Sequence, residues 1–159
     1  MKARGTPDRA VFNFDRVYLK GVSFESPRVP RIFSEKDFQP NIDIQFDISH
    51  QSLDPVDNTY QVVLQATATA KTYSETAYLV EVQQAGVFTI AGFPNEQLEQ
   101  ILEATCPNAL YPFLRETMCS LVSNGGFPTL LLQPVNFEQL YQQKKASENN
   151  NSTGKSIPH

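Results

Sequence analysis

Apolar residues recur at every second position in four stretches of the chain, the spacing of strands that cover one face and wet the other. From Val11 to Glu25 the even positions Phe12, Phe14, Tyr18, Val22 and Phe24 are apolar. From Ile42 to Ile48 the alternation is strict, with Ile42, Ile44, Phe46 and Ile48 set against Asp43, Gln45 and Asp47. Tyr60, Val62, Leu64, Ala66, Ala68 and Ala70 make a third row. Tyr78, Val80, Val82, Phe88 and Ile90 make a fourth, between Thr76 and Ala91, which puts Glu81 on the wet face. Between the first two strands, Ser26 to Pro40 holds Pro27, Pro30 and Pro40 and reads as an irregular loop. Its length suggests a task of its own. Ser49 to Thr59 carries Asp54-Pro55 and Asp57-Asn58 and reads as turns, with His50 as a solvated loop residue.

After Gly92 the period becomes helical. Leu98, Ile101 and Leu102 stand at i, i+3, i+4, and Leu110, Phe113, Leu114, Met118, Leu121 and Val122 continue a longer stripe. Cys106-Pro107 is expected to separate two helices, with Pro112 in the first turn of the second, where a missing N–H matters least. Asn124-Gly125-Gly126 is a helix stop. Asn136, with Gln139 three residues on, opens a last helix bearing Phe137, Leu140 and Tyr141. From Ser147 the chain turns to Asn, Ser and Gly and is expected to be disordered. The pattern is that of an α+β protein with one domain over 11–146, a flexible N-terminus over 1–10 and a tail over 147–159.

Charge narrows the partners. The net charge is −4. Residues 1–10 and 142–159 each net +2, which leaves seven basic and fifteen acidic residues, a net of −8, on 11–141. An acidic body repels a phosphate backbone, so nucleic acid is not expected as a partner, whereas a basic protein segment is. No apolar run approaches the length that crosses a bilayer, and no apolar run follows the basic residues near the N-terminus, so a cytoplasmic protein without direct membrane insertion is expected. Cys106 and Cys119 lie 13 residues apart, outside any CxxC, and read as two buried free thiols.

Catalytic chemistry is hard to assemble. The two histidines, His50 and His159, stand in no cluster with metal-ligand spacing. No phosphate-binding glycine loop or nucleophile elbow occurs, so no ATP, metal or other cofactor is expected, and no enzyme. Glu81 is the unusual carboxylate, set mid-strand between Val80 and Val82, and partner contact would account for it.

Several blocks resemble SecB, a family of bacterial export chaperones: Val17-Tyr18 with Ser23 to Pro27, Lys36 to Pro40, Tyr60 to Leu64, Glu81 to Gly92, Cys106 to Glu116, and Gly126 to Phe137. The resemblance spans roughly residues 12–143. It implies a four-stranded antiparallel sheet with helices on one face, assembled as a homotetramer, a dimer of dimers. It implies an ATP-independent holdase that binds unfolded precursor proteins and passes them to the SecA translocation motor. Within that frame Phe33, Phe38, Ile42, Ile44, Phe46, Phe137, Leu140 and Tyr141 would form the polypeptide groove. Glu25, Leu79 and Glu81 would form the SecA-docking face. Val80, Val82, Gln84, Leu98, Ile101 and Leu102 would form the oligomer interface. Gly21 stands where the family commonly carries an acid, and the tail is basic where related tails are acidic, so weaker docking is expected. The alternative role is a general cytosolic holdase for clients that are not exported.

Overall fold

A computed structural model describes residues 9–73 and 75–155, with side chains as far as residue 150. Among the described residues four strands form one antiparallel sheet: β1 (Val11–Glu25), β2 (Asn41–Asp54), β3 (Thr59–Thr72) and β4 (Glu75–Ala91). Their spatial order is β1-β4-β3-β2, so the first two strands in the chain become the two edges. The Ser26–Pro40 loop carries the chain from one edge to the other; it holds a single short 3₁₀ turn, Arg31–Ser34, whose Ile32 is buried. β2 runs on to Asp54, so His50 lies in the strand and not in a turn. The β2–β3 reversal is confined to four residues, with the Asp54 carboxylate accepting from the Val56 N–H at 2.9 Å and Asn58 taking a left-handed φ of 57°.

Three strands hold one parity along their apolar rows, the slips at Leu53 in β2 and Ala77 in β4 lying outside those rows. In β3 the even residues Val62, Leu64, Ala66, Ala68 and Ala70 are fully covered, as are Val80, Val82 and Phe88 in β4. In β1 the register slips between Phe14 and Arg16 and again between Leu19 and Gly21. Phe12 and Phe14 pair with Ile90 and Phe88, Leu19 with Gln84, and Val22 and Phe24 with Val82 and Val80, all on the covered side. Tyr18 pairs with Ala85 on the open side, and its hydroxyl donates to Gln61. The expected even row of β1 is therefore right at both ends and wrong at Tyr18, because each bulge adds one residue and inverts the alternation. Gln84 is 3% exposed, yet its amide Nε2 is satisfied, donating to the Tyr18 carbonyl at 3.0 Å beside the second bulge.

One continuous helical rod covers the sheet: α1 (Asn95–Gln100), a π turn (Ile101–Thr105) and α2 (Cys106–Asn124). Cys106-Pro107 does not separate two helices. The Cys106 N–H reaches the Ile101 carbonyl, five residues back, and this wider turn carries the rod past a residue that has no N–H to donate. Pro112 lies well inside α2, not in its first turn. Pro112 and Asn108, whose carbonyl loses its partner, both face solvent, where water can serve that carbonyl. Leu110, Leu114, Met118 and Val122 turn to the sheet and are fully buried. At the helix end the Gly125 N–H bonds to the Leu121 carbonyl at 2.9 Å, and Gly126 takes φ 90°.

The last helix, α3 (Phe137–Lys155), opens with the Asn136 side chain accepting from the Gln139 N–H at 3.0 Å, the expected cap. It continues beyond Ala146 to Lys155, where disorder was expected from Ser147; residues 156–159 lie outside the described residues, as does all of the expected flexible N-terminus except Arg9 and Ala10. The two thiols are free, Cys106 buried and Cys119 only half-buried. Burial pushes the Cys106 thiol up to about 12 from its ordinary 9.0. The fold thus favours the neutral thiol, and that contribution, complete below pH 9.0, is lost as pH rises toward about 12. Alkylation of the native chain near neutral pH is expected to modify Cys119 and spare Cys106 until denaturant is added; mass mapping of two labelled cysteines in the native chain would contradict this.

Candidate functional site

The loop between the sheet edges is fixed by charge and by one apolar plug. Arg28 donates to Glu35 at 2.7 Å, to Glu75 at 2.9 Å and to the Thr72 hydroxyl at 3.0 Å, tying the loop to the β3–β4 reversal. Ser26 donates to the Ala77 carbonyl at 3.1 Å. Held this way, the loop presents Phe33, 51% exposed, and half-buried Phe38. Both rings pack on Phe127, with centroids at 5.4 and 5.6 Å, and Phe127 rests in turn on Tyr78 at 5.0 Å. Ile32, Phe33, Glu35, Phe38, Gly126 and Phe127 line a cavity of about 170 Å³. A Cβ at Gly126 would stand 3.0 Å from the Phe33 ring, so glycine serves both the left-handed turn and the close approach of that ring.

Directly after the loop, β2 places Ile42, Ile44, Phe46 and Ile48 on the covered side, opposite Ala70, Ala68, Ala66 and Leu64. Ile42 is exposed and the next three are half-buried. Among the described residues the outer edge of β2 pairs with no strand, which leaves its N–H and C=O groups open along one side. Phe46, Tyr111 and Phe137 meet edge-on, 5.6 to 6.0 Å apart. Here the expected groove needs correction. Phe137 is 2% exposed and Tyr141 is equally well covered, because α3 turns both onto the rod; only Leu140 of the three stands out in solvent. The surface available to a ligand is thus Phe33, Phe38, Ile42, Ile44, Phe46 and Leu140. Phe127, which organises the loop cavity, escaped the period reading because it follows Gly125-Gly126 outside any regular element.

The open face of the sheet carries the acidic set. Glu25 pairs with Leu79 and Ser23 with Glu81, so Glu25, Leu79 and Glu81 share that face, as alternation predicts. Glu25 is exposed, and Leu79 and Glu81 are half-buried. Among the described residues neither glutamate has a cationic partner. Gly21 lies in the same field beside Gln83, whose amide donates to Gln65 at 3.1 Å.

The expected oligomer interface is not available in the form given. Val80 and Val82 are 0% exposed, and Gln84, Ile101 and Leu102 are buried, with Leu98 packed against the same cluster. All six lie in the core between sheet and rod, so they have little or no surface left for another chain. An exposed apolar row lies instead along the β1 edge: Phe12, Phe14, Leu19 and Val22, joined by Phe113 of α2. Phe14 stacks on Phe88 at 4.6 Å and meets Phe113 edge-on at 6.1 Å. The bulges hid this patch from the sequence pattern by moving Leu19 onto the covered side.

Among the described residues no group of three or more His, Cys, Asp or Glu could hold a metal ion, and no helix is long and apolar enough to cross a membrane. A family model described as "Preprotein translocase subunit SecB" matches residues 6–148. The chain is 48% identical over 143 residues to "Protein-export protein SecB" of Halorhodospira halophila, a match covering 90% of this chain and 81% of that one. Its fold is also similar to a Mycobacterium tuberculosis SecB-like chaperone solved with a ChAD peptide from the HigA1 antitoxin. That likeness has a TM-score of 0.66 and 16% identity, and covers 78% of this chain and 90% of the other.

Proposed function

Because this chain belongs to the SecB family of non-enzymatic chaperones, we propose that it is an ATP-independent holdase that captures non-native precursor polypeptides and delivers them to the SecA motor. The observation that carries the reading is an aromatic loop cavity, lined by Phe33, Phe38 and Phe127, on the segment that leads into the β2 edge strand. An extended client can add its main chain to that edge and lay alternate side chains on Ile42, Ile44 and Phe46, while larger ones reach the cavity between Phe33 and Phe127. Main-chain pairing asks little of client sequence, and apolar contact rewards area, so the site suits unfolded chains in general. Release then follows from handover to a competing partner. The test is the aggregation of a refolding precursor without nucleotide. Suppression at stoichiometric amounts is expected, and unaltered aggregation would refute the reading.

Delivery draws on the acidic open face. Glu25 and Glu81, without a cationic partner among the described residues, suit a basic segment of the motor, with Leu79 as the apolar contact between them. Exposed ion pairs contribute about 0.2–1 kcal/mol each, so several must act together and added salt should weaken the contact. Glu81→Lys is expected to abolish motor binding while the melting curve stays native. Gly21→Asp is expected to tighten it, since the new Cβ would meet only the mobile end of Gln83, at 3.1 Å. Isothermal titration at low and high salt decides; affinity indifferent to salt and to Glu81→Lys would remove this face from delivery. The neutral Gly21 also favours the second reading, a general cytosolic holdase for non-exported clients, and failure of SecA to co-purify with the chain would select it.

Assembly as a homotetramer, a dimer of dimers in the cytoplasm, completes the proposal. The unpaired β1 edge, with Phe12, Phe14, Leu19 and Val22 beside it, offers both main-chain groups and apolar area to a second copy.

A further inference from the structure

The β3–β4 reversal carries an aromatic that the fold does not use. Tyr73 is 99% exposed, and its backbone takes a left-handed φ of 55°, a region in which a bulky side chain is strained. The reversal is nevertheless held in place. Arg28 donates to the Thr72 hydroxyl at 3.0 Å and to Glu75 at 2.9 Å, the two ends of the tip that bears the ring. With Asn41, Ile42, Asp43, Thr69 and Lys71, Tyr73 lines a cavity of about 380 Å³ at the corner where β2 begins and β3 ends.

The register joins this corner to the acidic face. Glu25 stands beside Leu79, Leu79 beside Thr69, and Thr69 beside Asp43, one row across all four strands. Glu81 stands beside Thr67 in the next row of the same face. The residues between the two ends, Leu79, Thr67 and Thr69, are half-buried and uncharged. Strands lie about 4.8 Å apart, so the row spans roughly 14 Å, the reach of about four residues of extended chain. Asp43 is exposed and has no cationic partner among the described residues; its carboxylate accepts from the Gln45 amide at 3.3 Å. Lys71, also exposed, opposes a cation in the cavity, but the shelf sets three carboxylates, Glu25, Glu81 and Asp43, against the Lys71 ammonium.

We propose that this corner is an arginine subsite, in which a guanidinium of a basic peptide lies on the Tyr73 ring and pairs with the Asp43 carboxylate. A planar guanidinium suits both partners, since it stacks on an aromatic face and meets a carboxylate through two parallel N–H groups; a compact, strongly hydrated ammonium makes the weaker match. On the docking reading given above, the arginine belongs to the same basic segment that engages Glu25 and Glu81, and the row fixes its spacing from them. The exposed ring and its strained turn then serve a partner and not the fold.

Fluorescence anisotropy of the full chain with short, blocked, dye-labelled peptides, glycine-rich with either arginine or lysine, tests the corner without the motor. The arginine peptide is expected to bind the more tightly. Tyr73→Gly should weaken it roughly two- to fivefold, the range of an exposed cation–aromatic contact. Asp43→Asn should weaken it by a similar factor, roughly that of an exposed ion pair, and Lys71→Gln should strengthen it. Glycine takes a left-handed φ without strain, so Tyr73→Gly is expected to melt at the wild-type temperature or above while binding less. Arginine and lysine peptides bound equally by the wild type, or an arginine peptide indifferent to both Tyr73→Gly and Asp43→Asn, would overturn the proposal. So would a lowered native mass of Tyr73→Gly with unaltered peptide binding, which would give the ring to contact between copies. Failure of the motor to bind leaves the peptide result standing, and a peptide that ignores Tyr73 and Asp43 leaves the Glu25 and Glu81 docking face standing.

Discussion

Val82→Asp is expected to unfold the chain, and Leu19→Asp is expected to leave it folded but unable to assemble. The two positions lie on the same side of the sheet. Val82 is fully covered by the rod, and no cation reaches it. A carboxylate there must either be desolvated without a partner or take up a proton, and it also loses the valine's packing; together these cost about 4 kcal/mol or more. A domain of this size has roughly 5–15 kcal/mol in total, so a large fall in melting temperature and loss of soluble protein are expected. Leu19 is half exposed on an unpaired edge. A carboxylate there stays in water in the free subunit and becomes costly only when a second copy covers the edge. Circular dichroism melting with native mass measurement separates the outcomes. A Val82→Asp chain that melts normally and merely dissociates would return that residue to the interface, and a Leu19→Asp chain of unchanged native mass would clear the β1 edge of any part in assembly.

The misplaced interface shows what the residue pattern could and could not carry. Period two located all four strands, and in β2, β3 and β4 it also assigned the faces correctly, because those strands keep their parity wherever their apolar rows lie. In β1 each bulge inverts the count, and nothing in a single sequence marks Asp15 or Lys20 as the extra residue. The resemblance implies an interface on Val80, Val82 and the helix Leu98–Leu102, residues that the fold covers within the chain. That cover comes from a single rod, in which the π turn carries the helix past Pro107 without a break. Proline rules treat the lost N–H as a boundary; they cannot foresee a wider turn that has no need of it. Phe137 and Tyr141 illustrate a further limit. An aromatic at helical spacing reads the same whether it faces solvent or core, and only the direction of α3 decides. Glu25 and Glu81 were legible because alternation alone fixes their face. The 3.4 Å approach of the His50 Nε2 to Glu103 was not, because it joins β2 to the π turn, far apart in sequence.

Phe33→Ala with Phe38→Ala is expected to weaken capture of an unfolded client by about one to two orders of magnitude. The estimate follows from area. Full burial of a phenylalanine side chain is worth about 1.5–3 kcal/mol, and these rings begin half-exposed and half-buried, so a client covering both gains roughly half of that from each. Each 1.4 kcal/mol is tenfold in affinity. The loop should keep its place without the rings, since Ile32 remains in the core and Arg28 keeps its bonds to Glu35, Glu75 and Thr72. Phe38 contributes some packing against Phe127, so a modest loss of stability is expected, and the binding measurement belongs well below the melting range of the double variant. Ile44→Ala is the informative control: it lies on the same covered side, on β2, and should weaken capture less, because less of a smaller side chain is removed. Fluorescence titration of a reduced, unfolded client at fixed ionic strength gives the comparison. Native affinity in a folded double variant would show that the loop cavity takes no part in capture, and would leave the unpaired β2 edge and its main-chain groups as the client's whole point of attachment.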